Sequence, residues 1–123
     1  MAGTFVWVDI PVRDLNRATS FYSAVTARSL ETMRGEGFEL SLFQHQREDT
    51  AGCLYVPGPD NQPSTTGPLV YLDVSGRLDA AIAAVEPHGG HIVKPKHSIQ
   101  PHGFCAIVVD SEGNRIALHS PTA

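Results

Sequence analysis

The sequence predicts an α+β fold made of two successive strand–helix–strand–strand–strand modules. Three observations predict it. Short runs rich in Val and Ile recur along all 123 residues. Two of these runs lead directly into an apolar stripe at helical spacing. A segment dense in Pro and Gly then divides the chain, and the same order of elements begins again after it.

Residues 5–12, FVWVDIPV, alternate loosely and read as a strand. Asp14 follows as an N-cap whose carboxylate can accept from the free N–H groups of a first helical turn. Leu15, Ala18, Tyr22 and Val25 recur on one face, so the spacing predicts a helix ending near Ala27. RSLETM reads as a short strand, GEGF as a turn, and FELSLFQHQ as an alternating strand. EDTAG reads as a second turn, and CLYV as the strand that closes the first module. PGPDNQPSTTGP, residues 57–68, is a linker in which Pro and Gly forbid regular structure.

The second half starts with the strand LVYLDV. Leu78, Ala81, Ile82 and Val85 form a helical face that HGG stops, with Gly89 or Gly90 free to take a left-handed cap. HIVKP is a short strand. FCAIVVD and RIALHS are strands joined by SEGN, a run of turn formers. DIPVRDLNRATSFY can be laid over YLDVSGRLDAAIAA with Val12 on Val74 and a one-residue slip at the helix start. AGCLYVP can be laid over NRIALHSP with Pro57 on Pro121. Two such matches in the same order indicate an internal repeat. The expected organisation is one domain over residues 1–123, with modules at about 4–57 and about 68–121 and a linker at about 58–67.

Composition narrows the function. A chain of this size can bury about two-thirds of its unfolded surface without disulfides or a structural metal. The net charge of −4, with Lys and Arg scattered, argues against a nucleic-acid backbone as partner. No apolar stretch approaches the roughly 20 residues of a membrane span. MAGTFVWVDI lacks a basic start with a long apolar core, so it does not read as a signal peptide, and a cytoplasmic location is expected. Cys53 and Cys105 are too few for a disulfide scaffold and read as reduced, buried, small apolar residues.

IPVRDLNRATSFY near the start and GFCAIVVDSEGNRIALHS near the end carry a resemblance. In them the chain resembles the vicinal oxygen chelate superfamily of glyoxalase I, bleomycin-resistance proteins and extradiol dioxygenases. The matching features are the Asp-Leu helix start with its Phe-Tyr pair, and the Gly-Phe strand, Asp-x-x-Gly-Asn turn and closing strand. Ser111 stands where a Pro is frequent. The resemblance implies that the two modules curl their sheets into a cup with the helices outside, and that chains of this length pair as homodimers. It also implies a divalent ion held in the cup by His, Glu or Gln, one from each of four strands, polarising paired substrate oxygens.

The resemblance places those four positions at Trp7, Cys53 (or Leu54 with a register slip), Leu69 and Ala117. Indole carries N–H and offers no lone pair to a metal. Leu and Ala cannot ligate, and one Cys falls short of the roughly three protein ligands of a catalytic site. The neighbours Val6, Val8, Val70, Ile116 and Leu118 are equally apolar. The expectation is therefore that the usual metal centre is absent and no cofactor is held.

Trp7 has two readings: a core filler where the metal would sit, or a ring lining the cup for a flat or cationic ligand. Residues two apart on a strand share a face, so Asp9 would join Trp7, Tyr55 would join Cys53, Tyr71 would join Leu69, and His119 would join Ala117. An apolar cup with these few polar groups suits a small molecule. His119 with Asp9 is a candidate acid–base pair, or else His119 is a partly exposed strand-end residue. His45, His88, His91, His97 and His102 read as solvated or loop-capping, with His97 and His102 flanking a loop at the rim. Asp73 and Asp110 read as acceptors for turn N–H groups.

The expected function is a metal-independent, bleomycin-resistance-like homodimer binding an apolar or aromatic ligand, with no nucleic-acid or membrane partner. The alternatives are a glyoxalase-like lyase, isomerase or dioxygenase with an atypical site, using His119, Asp9 or a Tyr for proton transfer or a metal on residues such as His97 and His102, and a structural module with a filled cup.

Overall fold

The structure, a computed structural model, describes residues 3–123. Met1 and Ala2, which enter the leader reading, lie outside the described residues. The first half contains β1 (Trp7–Pro11), α1 (Leu15–Thr26), β2 (Leu30–Gly35), β3 (Phe38–Phe43) and β4 (Ala51–Tyr55). The second contains β5 (Val70–Asp73), α2 (Leu78–Val85) with a 3-10 turn over Glu86–His88, β6 (His91–Ser98), β7 (Phe104–Val109) and β8 (Arg115–Ser120). No strand or helix lies between β4 and β5, in keeping with the Pro and Gly content there.

Each half forms its own four-stranded mixed sheet, ordered β1-β4-β3-β2 and β5-β8-β7-β6. β1 pairs parallel with β4, as β5 does with β8, and the other neighbours are antiparallel. The repeat is visible in single hydrogen bonds. Val12 N–H donates to Tyr55 O at 2.9 Å, and Val74 N–H donates to His119 O at 2.9 Å. Val12 thus corresponds to Val74 and Tyr55 to His119, the same register that lays Pro57 on Pro121.

α1 forms where Asp14 caps it, accepting from Arg17 N–H at 3.0 Å, and ends on Ala27 with a left-handed φ of 56°. α2 has Arg77 at its N-cap, without a side-chain cap, and the chain leaves its 3-10 turn through Gly89 at φ 98°. The two helices pack on each other, and Leu15, Ala18, Phe21, Tyr22, Val25, Leu78, Ala81 and Val85 bury their stripes in one core. Ile10, Val12 and Leu54 enter that core from the first half, and Val74, Val108, Ile116 and Leu118 from the second. Burying this much apolar side chain is the main force joining the halves.

Polar staples add direction. The buried Asp110 carboxylate accepts from Tyr22 Oη at 2.5 Å and from the N–H groups of Glu112 and Asn114. Glu112, also buried, reaches the start of α1: its Oε1 accepts from Arg13 N–H at 2.8 Å and Asp14 N–H at 2.9 Å. Arg17 clamps both its oxygens, at 2.7 and 2.9 Å. Asn114 Nδ2 donates to Pro11 O at 2.8 Å. The SEGN turn of one half therefore supplies an acceptor to the N–H groups of Arg13 and of the N-cap Asp14 at the start of the other half's helix.

Three expectations change. Ala51 and Gly52 belong to β4, not to a turn. Gly is needed at 52 because a Cβ there would meet Val8 O at 2.5 Å, so β1 approaches too closely for a side chain. β6 runs to Ser98, so His97 sits on a strand and not in a loop. Register shifts between Ile92, Lys94 and His97 let the strand pass Pro95, which cannot donate to a ladder. His45 lies just beyond the end of β3.

Candidate functional site

Register puts the sequence-selected residues on the sheet faces turned away from the helices. On the first sheet Trp7 pairs with Ala51 and Asp9 with Cys53, while Val8 and Ile10 point to the helix side. Trp7 is 43 % exposed and is no core filler in the single chain. Its indole Nε1–H donates to Asp9 Oδ1 at 2.8 Å, and the Cys53 thiol donates to the same oxygen at 3.3 Å. Burial, reinforced by Asp9, pushes the Cys53 thiol up to about 11, so it stays protonated at neutral pH. The His45 ring stands edge-on to Trp7, centroids 5.9 Å apart. Tyr55 Oη is held by Asn61 Nδ2 from the linker.

On the second sheet Tyr71 pairs with Ala117 and Asp73 with His119. Tyr71 is 54 % exposed and packs edge-on to His119 with centroids 6.5 Å apart. Ala117 lies between Tyr71 and Ile107 in the register and is fully buried, so its methyl is not open to a ligand in the single chain. Leu69 is half-buried just before β5. His119 Nε2 donates to His102 O at 2.6 Å, so its ring is oriented by a backbone carbonyl and not by Asp9. Asp9 belongs to the Trp7–Cys53 group instead. No hydrogen bond or ring contact among the described residues joins the Trp7–Asp9–Cys53 group to the Tyr71–His119 group.

One row was not legible in the sequence. His97, Cys105, His119 and Asp73 are successive register partners across β6, β7, β8 and β5. His97 Nδ1–H donates to Pro95 O at 2.9 Å, which leaves Nε2 to face the Cys105 sulfur at 3.3 Å. Cys105 is buried, and burial raises its pKa. Asp73 is held low by the Ser75 hydroxyl and N–H, with Arg28 adding to the effect. Finding this row needed β6 read to its full length, and Pro95 hid it.

The four positions at which the resemblance implies metal ligands do not form a donor set. Trp7 Nε1–H is itself a donor to Asp9, Leu69 and Ala117 end in alkyl groups, and the lone Cys53 falls short of the roughly three ligands of a catalytic site. Among the described residues no three His, Cys, Asp or Glu side chains converge as a metal site.

A cavity of about 510 Å³ opens elsewhere, at the seam between the halves. β1 and β5, each the last strand of its sheet, both line it, through Val8 and Ile10 on one side and Val70 and Leu72 on the other. Of the sequence-selected ligand residues, Tyr71 is the one that lines it.

No protein-family model matches the chain. Two curated mycobacterial relatives, from Mycobacterium bovis and Mycobacterium tuberculosis and provisionally named glyoxylase CFP32, are 25 % identical over 120 residues. That match takes in 94 % of this chain but 45 % of theirs, so the chain spans under half the length of these relatives. A glyoxalase/bleomycin resistance protein from Albidiferax ferrireducens superposes with a TM-score of 0.72 at 17 % identity, covering 96 % of this chain and 98 % of that one. The fosfomycin resistance protein FosX from Listeria monocytogenes gives 0.66 at 16 % identity, covering 98 % and 94 %. Glyoxalase I from Zea mays gives 0.70 at 18 % identity, covering 94 % of this chain and 45 % of that one. The chain has the glyoxalase/bleomycin-resistance fold that the resemblance implied. Among the described residues, no helix is long and apolar enough to cross a membrane.

Proposed function

We propose that the protein is a metal-independent small-molecule binder of the glyoxalase/bleomycin-resistance type, taking an apolar or aromatic ligand against the sheet faces that carry Trp7 and Tyr71. One observation carries the reading. The fold is retained while the expected ligand positions hold Trp7, Cys53, Leu69 and Ala117, and the one sulfur among them is hydrogen-bonded to Asp9. Exposed aromatic rings on both faces support the ligand class: Trp7 and Tyr71 each offer a flat apolar surface beside a polar partner.

The two aromatic groups lie on separate sheets without mutual contact in one chain. A homodimer, in which each face meets the partner's complementary face, is the assembly that brings them together. The apolar residues left on the first sheet's outer face favour this: Met33 and Phe38 are exposed, Met33 pairing with Leu40 and Phe38 sharing the face of Leu40 and Leu42 on β3.

The test is a panel of aromatic and amphipathic compounds read by Trp7 fluorescence and by melting temperature. A binder shifts both, and Trp7→Phe weakens the thermal response. If the whole panel moves neither signal, the reading fails.

A second reading, an enzyme with an atypical site, draws on the His97–Cys105–His119–Asp73 row. There His97 Nε2 would take a proton and the carbonyl-anchored His119 would position substrate. His97→Ala abolishing turnover of a bound compound while leaving its binding intact would favour the enzyme.

A further inference from the structure

We infer that the seam between the two halves is a second small-molecule site, selective for an uncharged apolar molecule that carries a hydrogen-bond acceptor. Three observations carry this inference. First, the cavity of about 510 Å³ has the size of organic-ligand sites, and its apolar side, from Val8, Ile10, Phe43, Val70 and Leu72, faces a polar rim that includes Thr26, Gln44 and Thr50. These wall residues lie mainly on the helix side of their strands, whereas Tyr71 and His45, which also line the seam, mark where it borders the faces that carry Trp7 and Tyr71.

Second, Arg28 at the end of α1 lines the cavity with donors to spare. Its Nη2 donates to Asp73 Oδ2 at 3.1 Å and more weakly to Asp73 O at 3.4 Å. Nε and Nη1 have no hydrogen-bond partner among the described residues. A planar guanidinium with two free donors suits a carbonyl, amide or ester oxygen.

Third, the charge of the lining selects against ions. Asp49 and Asp73 both line the cavity, against the single guanidinium of Arg28. Asp73 is occupied by Ser75 and Arg28, and Asp49 by Gln46 N–H. These carboxylates repel an anionic head group, and because both are exposed a cationic head gains only a solvent-screened attraction to them. An uncharged acceptor uses the free donors of Arg28 without meeting that repulsion.

The experiment is calorimetric titration with three compounds of one skeleton: 2-naphthamide, 2-naphthoate and 2-naphthylmethylamine. Calorimetry avoids the Trp7 signal, because His45 lines the seam and also touches Trp7. The amide is expected to bind more tightly than the acid or the amine. Arg28→Met is expected to weaken it about tenfold, and Leu72→Trp, which fills the seam, to abolish it. Trp7→Phe is expected to change it less than about twofold. Should Leu72→Trp fail to fold, Arg28→Met and Arg28→Lys decide, since Lys keeps the charge and loses the fork. The inference is overturned by an amide that does not bind, by tighter binding of the acid or the amine, or by Arg28 variants that bind normally. It is equally overturned if Leu72→Trp turns a dimer into a monomer in sedimentation, because a second copy then covers the seam.

Discussion

Trp7 shows how one residue's neighbours decide its role. The spacing left it open between filling the core and lining a cup. Its exposure and its bond to Asp9 make it a surface ring oriented by a carboxylate. It is the single Trp of the chain, so its emission reports on that face and on His45 beside it. Asp9→Ala removes the acceptor from both the indole and the Cys53 thiol, and the expected result is a change in Trp7 emission with little loss of stability, about 1 kcal/mol. Gly52→Ala is expected to cost about 2 kcal/mol in chemical denaturation, because the new methyl meets the backbone oxygen of Val8. Tyr22→Phe strips a buried donor from Asp110, and a loss of about 2 kcal/mol is expected.

At the scale of elements, the SEGN turn locks the second half onto the first helix. Burial alone would raise the Glu112 carboxyl. Arg17, the N–H groups of Asp14 and Arg13, and the Ser111 hydroxyl overcome it and hold the group at about 2, against an ordinary 4.5. The folded form thus favours the ionised carboxylate. Its stabilisation is complete above about pH 4.5 and is lost as the pH falls towards 2. Urea midpoints should therefore decline over that window in the native protein, and the decline should flatten in Glu112→Gln. At neutral pH Glu112→Ala leaves the half-exposed Arg17 and the N–H groups of Arg13 and Asp14 without their acceptor, and a loss of about 2 kcal/mol is expected.

The same scale shows what the sequence could reveal. Asp14, the helix stripes and the SEGN hairpin use local chemistry, and each formed where local rules put it. β4 and β6 did not follow those rules. Gly52 looked like a turn residue because Gly usually punctuates, yet here it answers a close crossing of β1 that no local pattern records. Pro95 cut β6 short on paper, while in the fold a register shift absorbs it. The His97–Cys105 contact vanished with that error. The outer-face residues were legible because strand alternation and the internal repeat are both properties of the chain. The seam cavity was not, because it depends on how two separately patterned halves settle against each other.

For the whole molecule, the core and the Asp110–Glu112 staples fix the halves back to back through their helices, leaving apolar sheet faces outside. Sedimentation is expected to give a homodimer, and Phe38→Asp or Met33→Asp to shift it towards monomer. A monomer that binds aromatic compounds as tightly as the dimer would separate ligand binding from assembly.

The most direct measurement concerns the proposed independence from a metal ion. Chelator-treated protein is titrated with the best compound of the aromatic panel while Trp7 emission is followed, and the titration is repeated with added zinc, nickel, iron or manganese. The account predicts a saturable change of the same affinity with and without the ions. A response that appears only when one of them is supplied, at one ion per chain, contradicts it.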